Sequence, residues 1–197
     1  MLNPTTILKS DAQGTAEHRL SALELRERHI WIDTDIDEAL VNKAIRELNY
    51  LNSLNAAPIK LFITTNGGSI EDGLALYDAI AESPAPVYVC VVARAYSMGA
   101  ILLQAGAKRY ALTHSRIMIH RGRKGQEIGT SSDYKDSLKM LDYYDDIVCK
   151  IIAEKTDKDV DEIQKEIQYD HYFTAEEAKD FNLIDDIITL DAFINLA

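Results

Sequence analysis

The sequence predicts an α/β domain with parallel strands, on three observations. Short runs rich in Val and Ile alternate with longer segments of helical periodicity. The turns between them lead from strand into helix, the pattern of right-handed crossovers. One run, VYVCVVA (87–93), is apolar at nearly every position, as a strand covered on both faces should be.

Each element follows in order. Residues 1–20 mix Pro, Thr, Ser, Gly and charges without periodicity and read as a flexible N-terminal arm, which leaves 21–197 as a single domain. HIWI (29–32) is a first strand. Over 35–54, Leu40, Ala44, Ile45, Leu48 and Leu51 recur at helical spacing, behind Asp35 and Asp37 as capping candidates. IKLFI (59–63) is a second strand and runs into the turn TTNGG. Ser69 opens the next helix, where Glu71 and Asp72 suit the positive end of the dipole and Ile70, Leu74, Tyr77 and Ile80 form the apolar stripe. SPAP breaks it before the 87–93 strand.

A short helix starts at Ser97, with Met98, Ile101, Leu102 and Ala105 on one side. RYAL and RIMIH are two more strands. The Gly- and charge-rich stretch 121–132 then precedes a long helix of about 134–155, with Leu138, Leu141, Val148 and Ile152 on one face. Residues 174–182 begin with a Thr-x-x-Glu capping box and end at Asn182, suited to a left-handed C-terminal position. There is no internal repeat.

Composition narrows the partners. Hydrophobic residues make up 47% and charged residues 27%, which fits a globular chain and not a disordered one. With 21 Lys+Arg against 32 Asp+Glu the net charge is −11, so nucleic acid and anionic membrane would repel it and neither is expected. No apolar stretch approaches the ~20 residues that span a bilayer, and the N-terminus lacks a signal-peptide core. Cys90 and Cys149 form no metal or redox motif, and Cys90 fits a buried reduced thiol. A cytoplasmic protein without metal or cofactor is the expectation.

Chemistry centres on ARAYSMGA (93–100), where Ser97 ends a buried strand and begins a helix. Ala-x-Ser-x-Gly is one residue from the nucleophile elbow, and helix N-terminal amides favour developing negative charge. An ordinary N-cap serine would look the same locally. The turn TTNGG offers glycine amides for half an oxyanion hole, with the Met98 N–H as the other half, although paired glycines also serve plain turns. A serine nucleophile needs a base and an orienter. Of His18, His29, His114, His120 and His171, His120 ends a strand, which would hold it rigidly at a cleft. Asp170, just before a capped helix, could orient it, but spacing alone does not single it out from 32 acids.

Three segments carry a resemblance: NGGSIEDGLALYDAI, SMGAILLQAGAKRYALTHSRIMIH and FTAEEAKDFNLIDDII. In this order and spacing, from about Leu25 to Ile188, the chain resembles the proteolytic subunit of the Clp protease, a self-compartmentalising serine peptidase. The resemblance implies a crotonase/ClpP-like fold of stacked ββα units with a protruding handle helix at about 123–155. It implies Ser97, His120 and Asp170 as catalytic residues and the amides of Gly68 and Met98 as the oxyanion hole. Extended substrate would pair near Gly67, Gly122, Gly125 and Ile128. Phe62, Tyr110, Leu112 and Ile188 would dock a partner, an ATP-driven AAA+ unfoldase that feeds unfolded protein into two stacked heptameric rings, a tetradecamer of this chain.

Departures from the family pattern are local. Thr64-Thr65-Asn66 precedes the glycines where Asn-Ser-Pro is usual, and Arg121-Gly122 follows His120 where Gln-Pro is usual. Tyr169 stands where an arginine commonly couples the rings, and Arg94 and Tyr96 are bulkier than usual before the serine. Lys60 and Glu82 occupy typically aromatic docking positions, where charge is expected to weaken an inserted loop. The alternatives are a crotonase-like acyl-CoA enzyme and a non-catalytic or modulatory ring subunit. The first has no need of a Ser/His/Asp set, and the second is expected to lose one.

Overall fold

A computed structural model describes residues 5–11, 14–123 and 131–196. Within the segment expected as an aperiodic arm, β1 (Thr6–Asp11) and β2 (Gly14–Arg19) form an antiparallel ribbon, with Thr6 opposite Arg19. Hydrophobic periodicity missed it because the β2 side chains stay largely in solvent and backbone pairing defines the ribbon. The helix α1 (Leu20–Arg26) leads to β3 (His29–Ile32). Asp37 then caps α2 (Glu38–Leu54) by accepting from the Leu40 N–H at 2.8 Å.

The middle of the chain alternates as expected. It runs β4 (Ile59–Thr65), α3 (Ile70–Ala81), β5 (Val87–Tyr96), α4 (Met98–Gln104), β6 (Lys108–Ala111) and β7 (Arg116–Ile119). Ser69 caps α3 through Asp72 N–H, as read. Beyond the 120s come α5 (Ser131–Thr156), α6 (Val160–Glu166), β8 (His171–Thr174), α7 (Ala175–Asp180), β9 (Asp186–Ile187) and α8 (Leu190–Ile194). The capping box at Thr174–Glu177 is formed on both sides, and Asn182 takes φ 64. Among these, α6, β8, β9 and α8 were not anticipated: they are short, and tertiary contacts rather than long periodic runs define them.

The α/β class holds. The described residues form a seven-stranded sheet in the order β3-β4-β5-β6-β9, with β7 beside β5 and β8 beside β7. All of its pairings are parallel except β7 with β8. Alternation along the central strands sends Leu61, Ile63, Val89 and Val91 into the helix-covered core. Phe62, Tyr88, Cys90 and Tyr110 face the other way into a second, smaller cluster. Burial of each aliphatic side chain contributes about 1.5–3 kcal/mol. A one-residue slip would put all of them on the wrong face, so the register is fixed.

The strand β5 is split. Its first half, Tyr88 to Val91, pairs with β6, and its second half, Arg94 to Tyr96, pairs with β7. Between them the register against β4 shifts, from Ile63 opposite Val91 to Thr65 opposite Ala95. This irregularity re-aims the C-terminal end of β5 and brings β7 and β8 to the sheet edge where the site lies.

The second cluster is covered by α8. Phe193 is fully buried, its ring 5.1 Å from Phe62 and 5.7 Å from Tyr110 in edge contacts. Trp31 stacks on Phe62 at 4.4 Å. Cys90, beneath them, is a buried thiol with its pKa pushed up to about 12 by that burial. Removing the Phe193 ring from a site this enclosed would cost about 3–5 kcal/mol if α8 stayed in place. So short a helix detaches instead. Phe193→Ala is expected to speed amide exchange across 190–196 by at least about tenfold and to leave 87–91 protected, as read by hydrogen–deuterium exchange.

Candidate active site

Ser97 sits where β5 gives way to α4, with φ 54 and ψ −123. A positive φ is uncommon for a non-glycine residue and costs of order 1–3 kcal/mol. The Ser97 hydroxyl makes no capping bond, unlike Ser69, Asp37, Thr174 and Thr189, whose side chains all accept from their helices. The capping reading of Ser97 therefore fails. Its N–H donates to the Met118 carbonyl at 2.9 Å, which ties the turn to β7.

The second turn packs directly onto the first. Gly67 has φ 102, and a Cβ there would lie 2.7 Å from Ser97 Cβ and 2.8 Å from the Tyr96 carbonyl. Gly68, at φ 154, would place a Cβ 2.1 Å from the Ile36 carbonyl. Ile36 straps the pair from outside: its N–H donates to Gly67 O, and its carbonyl accepts from Ser69 N–H, both at 2.8 Å. Arg94 Nε donates to Asn66 Oδ1 at 2.7 Å, so this bulky residue braces the turn. Gly67 N–H donates to Thr65 Oγ1 at 3.1 Å. The Gly68 and Met98 N–H groups are donors in none of the backbone bonds between described residues outside the regular helices and strands. They belong to the two turns that meet at Ser97.

His120 follows β7 immediately. Its Nε2 lies 2.8 Å from Ser97 Oγ. Because Ile119 pairs with His171 in the antiparallel register, the next residue, His120, comes opposite Asp170. Burial depresses the His120 pKa most, the Arg123 charge depresses it further, and Asp170 and Asp145 oppose both. The downward shift favours the neutral ring, the form a proton acceptor needs. Asp170 Oδ1 is 3.6 Å from His120 Nδ1, beyond hydrogen-bond reach. The same oxygen accepts from Arg123 Nη2. Among the described residues, the buried Nδ1 has no partner.

Sequence reading missed Arg123 and Asp145. Asp145, on α5, is buried, accepts from Gly122 N–H at 2.7 Å and receives Arg121 Nε at 2.9 Å. It lies four residues after Leu141 and three before Val148, so an acid within the apolar stripe was the signal available. Gly122 lines a small pocket together with Ser97, Met98, His120 and Ile70. Its N–H is occupied by Asp145. Gly125 and Ile128 lie outside the described residues.

The remaining candidates fall elsewhere. Phe62, Tyr110, Leu112 and Ile188 all join the cluster under α8, on the opposite sheet face. Lys60 Nζ donates to the Ile194 carbonyl, and burial lowers its pKa. Glu82 is exposed at the end of α3. His171 bonds Glu166 through Nδ1 at 2.6 Å and stacks on Phe173, a satisfied structural histidine. Tyr169 is exposed, and Tyr96 makes an edge contact with Tyr172 at 5.5 Å.

The model of one protein family, described as Clp protease, matches residues 12–191. The chain belongs to the Clp protease family. Its relatives include an ATP-dependent Clp protease proteolytic subunit 2 of Prochlorococcus marinus, 37% identical over 83% of this chain and 82% of that protein. A proteolytic subunit 1 of Corynebacterium jeikeium is 35% identical over 89% of this chain and 95% of its own. The corresponding subunit 1 of Salinibacter ruber is 31% identical over 92% and 79%. By family the chain is a divergent Clp-type serine endopeptidase, a hydrolase of proteolysis.

The contact between the turns can be tested by filling it. Gly67→Ala combines overpacking, about 1–3 kcal/mol, with a left-handed alanine, about 1–2 kcal/mol. The expected result is a thermal midpoint lower by roughly 5–15 °C, since each kcal/mol moves a chain of this size by about 2–4 °C. Calorimetry of the variant beside wild type measures it.

Proposed function

We propose that this chain hydrolyses peptide bonds through Ser97, His120 and Asp170 by an acyl-enzyme route. One observation carries the reading: Ser97 Oγ lies 2.8 Å from His120 Nε2 on a backbone that spends its hydroxyl on no cap. In the first step Ser97 Oγ attacks the substrate carbonyl while neutral His120 Nε2 takes its proton. The oxyanion that forms is held by the Gly68 and Met98 N–H groups, which face charge only once it has developed. His120 gives the proton to the leaving amine, and the acyl-enzyme keeps the N-terminal half of the substrate. Water, deprotonated by His120, then releases it. Asp170 holds the imidazole tautomer and stabilises the imidazolium, which requires it to close on Nδ1.

Extended substrate would pair by strand addition near Gly67, Gly122, Gly125 and Ile128. Residues 1–20 act as an arm on a single peptidase domain of 21–197, with the handle at about 123–155. On the described part of that helix, Leu138, Met140 and Tyr143 are exposed beyond the half that packs on the core. That apolar surface suits a ring-to-ring contact within stacked heptamers, a closed chamber in the cytoplasm that admits unfolded chains. An AAA+ unfoldase would dock at Phe62, Tyr110, Leu112 and Ile188. The Asp170-to-His120 gap of 3.6 Å favours one second reading, a modulatory ring subunit.

A fluorophosphonate separates the two. Wild type is expected to carry the adduct on Ser97 by mass spectrometry, and Ser97→Ala to lose both the adduct and cleavage of a fluorogenic peptide, by at least about a thousandfold. No adduct on wild type would leave the modulatory reading. The depressed His120 pKa sets a further expectation: lowering the pKa keeps the base neutral to lower pH. The acid limb of kcat/KM should therefore have its midpoint below about 6.5, the ordinary histidine value, in a pH series.

A further inference from the structure

Two donors compete for one oxygen at this site. Arg123 Nη2 and His120 Nδ1 both face Asp170 Oδ1; the arginine has the bond, and the histidine stands 3.6 Å away. The result is a buried imidazole nitrogen without a partner among the described residues. We propose that Arg123 is a positioning residue that holds the Asp170 carboxylate off His120, so that the site rests in a latent form and completes itself when Arg123 lets go. This inference rests on the peptidase reading of Ser97, His120 and Asp170.

The balance between the two arrangements is close on physical grounds. The Arg123 side chain is 66% exposed, and ion pairs at such a surface contribute little net stability because water screens both partners. His120 and Asp170 are 12% and 30% exposed, so the bond between them would form in a drier place, where an unmet donor is costly. What keeps Asp170 turned outward is the bidding power of a permanent guanidinium charge against an imidazole that carries none. A shift of the carboxylate by well under 1 Å would close the gap, given hydrogen bonds at about 2.7–3.2 Å. No strand needs to move, because β7 and β8 already hold the two residues side by side.

The charged groups facing His120 give the device a signature. They are Arg123 beyond the end of β7, Asp170 before β8, and Asp145 on α5, the last already paired with Arg121 and Gly122 N–H. Arg123 depresses the basicity of His120, while Asp170 raises it. Withdrawal of Arg123 removes the first influence and strengthens the second, so both act in the same direction. A side chain that merely propped up the loop would not move the titration of His120 upward while the reaction became faster.

The test is the rate of fluorophosphonate labelling across pH for the full chain in four forms: wild type, Arg123→Ala, Arg123→Lys and Ser97→Ala. Arg123→Ala is expected to label at least about threefold faster at pH 8, because an oriented base is a better one. The midpoint of its acid limb should rise by about half a pH unit or more. Arg123→Lys, which keeps the charge, should return both quantities toward wild type. An Arg123→Ala protein that labels no faster than wild type, or with its midpoint unmoved, overturns the role of Arg123 and leaves the nucleophile intact. Labelling retained by Ser97→Ala overturns the reading beneath it, and this inference with it.

Discussion

The site depends on the absence of one side chain. Where Gly67 meets Ser97, a methyl group would sit 2.7 Å from the serine Cβ, closer than two carbons can approach. Two strand-to-helix turns, after β4 and after β5, can therefore touch backbone to side chain. Their helices α3 and α4 begin side by side. The positive φ of Ser97 is sustained by that contact and by the bond from its N–H to Met118. Strain of this kind persists where the surroundings over-determine the backbone. Here the strap from Ile36, the brace from Arg94 and the neighbouring strand β7 supply the determination.

Much of this was legible in the residues. Apolar alternation and caps marked β3 through β7 and their helices, because each buries a periodic face or fills its cap from nearby sequence. Ser97 was not legible locally: a capping serine and one that leaves its helix uncapped share the same octamer, and only φ and the missing cap bond show which is present. Asp170 was legible only through family likeness, since its place beside His120 is a matter of strand register, which spacing along one chain does not reveal. The ribbon of β1 and β2, and α8 on the second cluster, escaped for a related reason. Their stability comes from backbone pairing or from a partner far away in sequence. Arg123 escaped because a single arginine in a polar stretch has no pattern.

The sheet also divides the labour of its two faces. One face carries the helices and the large core, and the other carries an aromatic layer closed by α8. The apolar run of β5 is explained by this arrangement: alternate residues serve different layers, and both layers are apolar. The candidate site uses neither face. It sits at the C-terminal ends of β5 and β7, where side chains escape the layers and helix N-termini begin. A polar site at that edge leaves both hydrophobic layers intact.

The antiparallel pairing of β7 with β8 has a consequence for accuracy. Opposite residues across such a pair advance in whole steps, and Ile119 against His171 places His120 against Asp170. One step of error would bring Tyr169 or His171 there instead. The placement of His120 beside Asp170 is thus quantised: a misregistered chain does not hold the pair slightly farther apart but sets a different residue beside His120. The fine adjustment left to the side chains is less than the width of one atom.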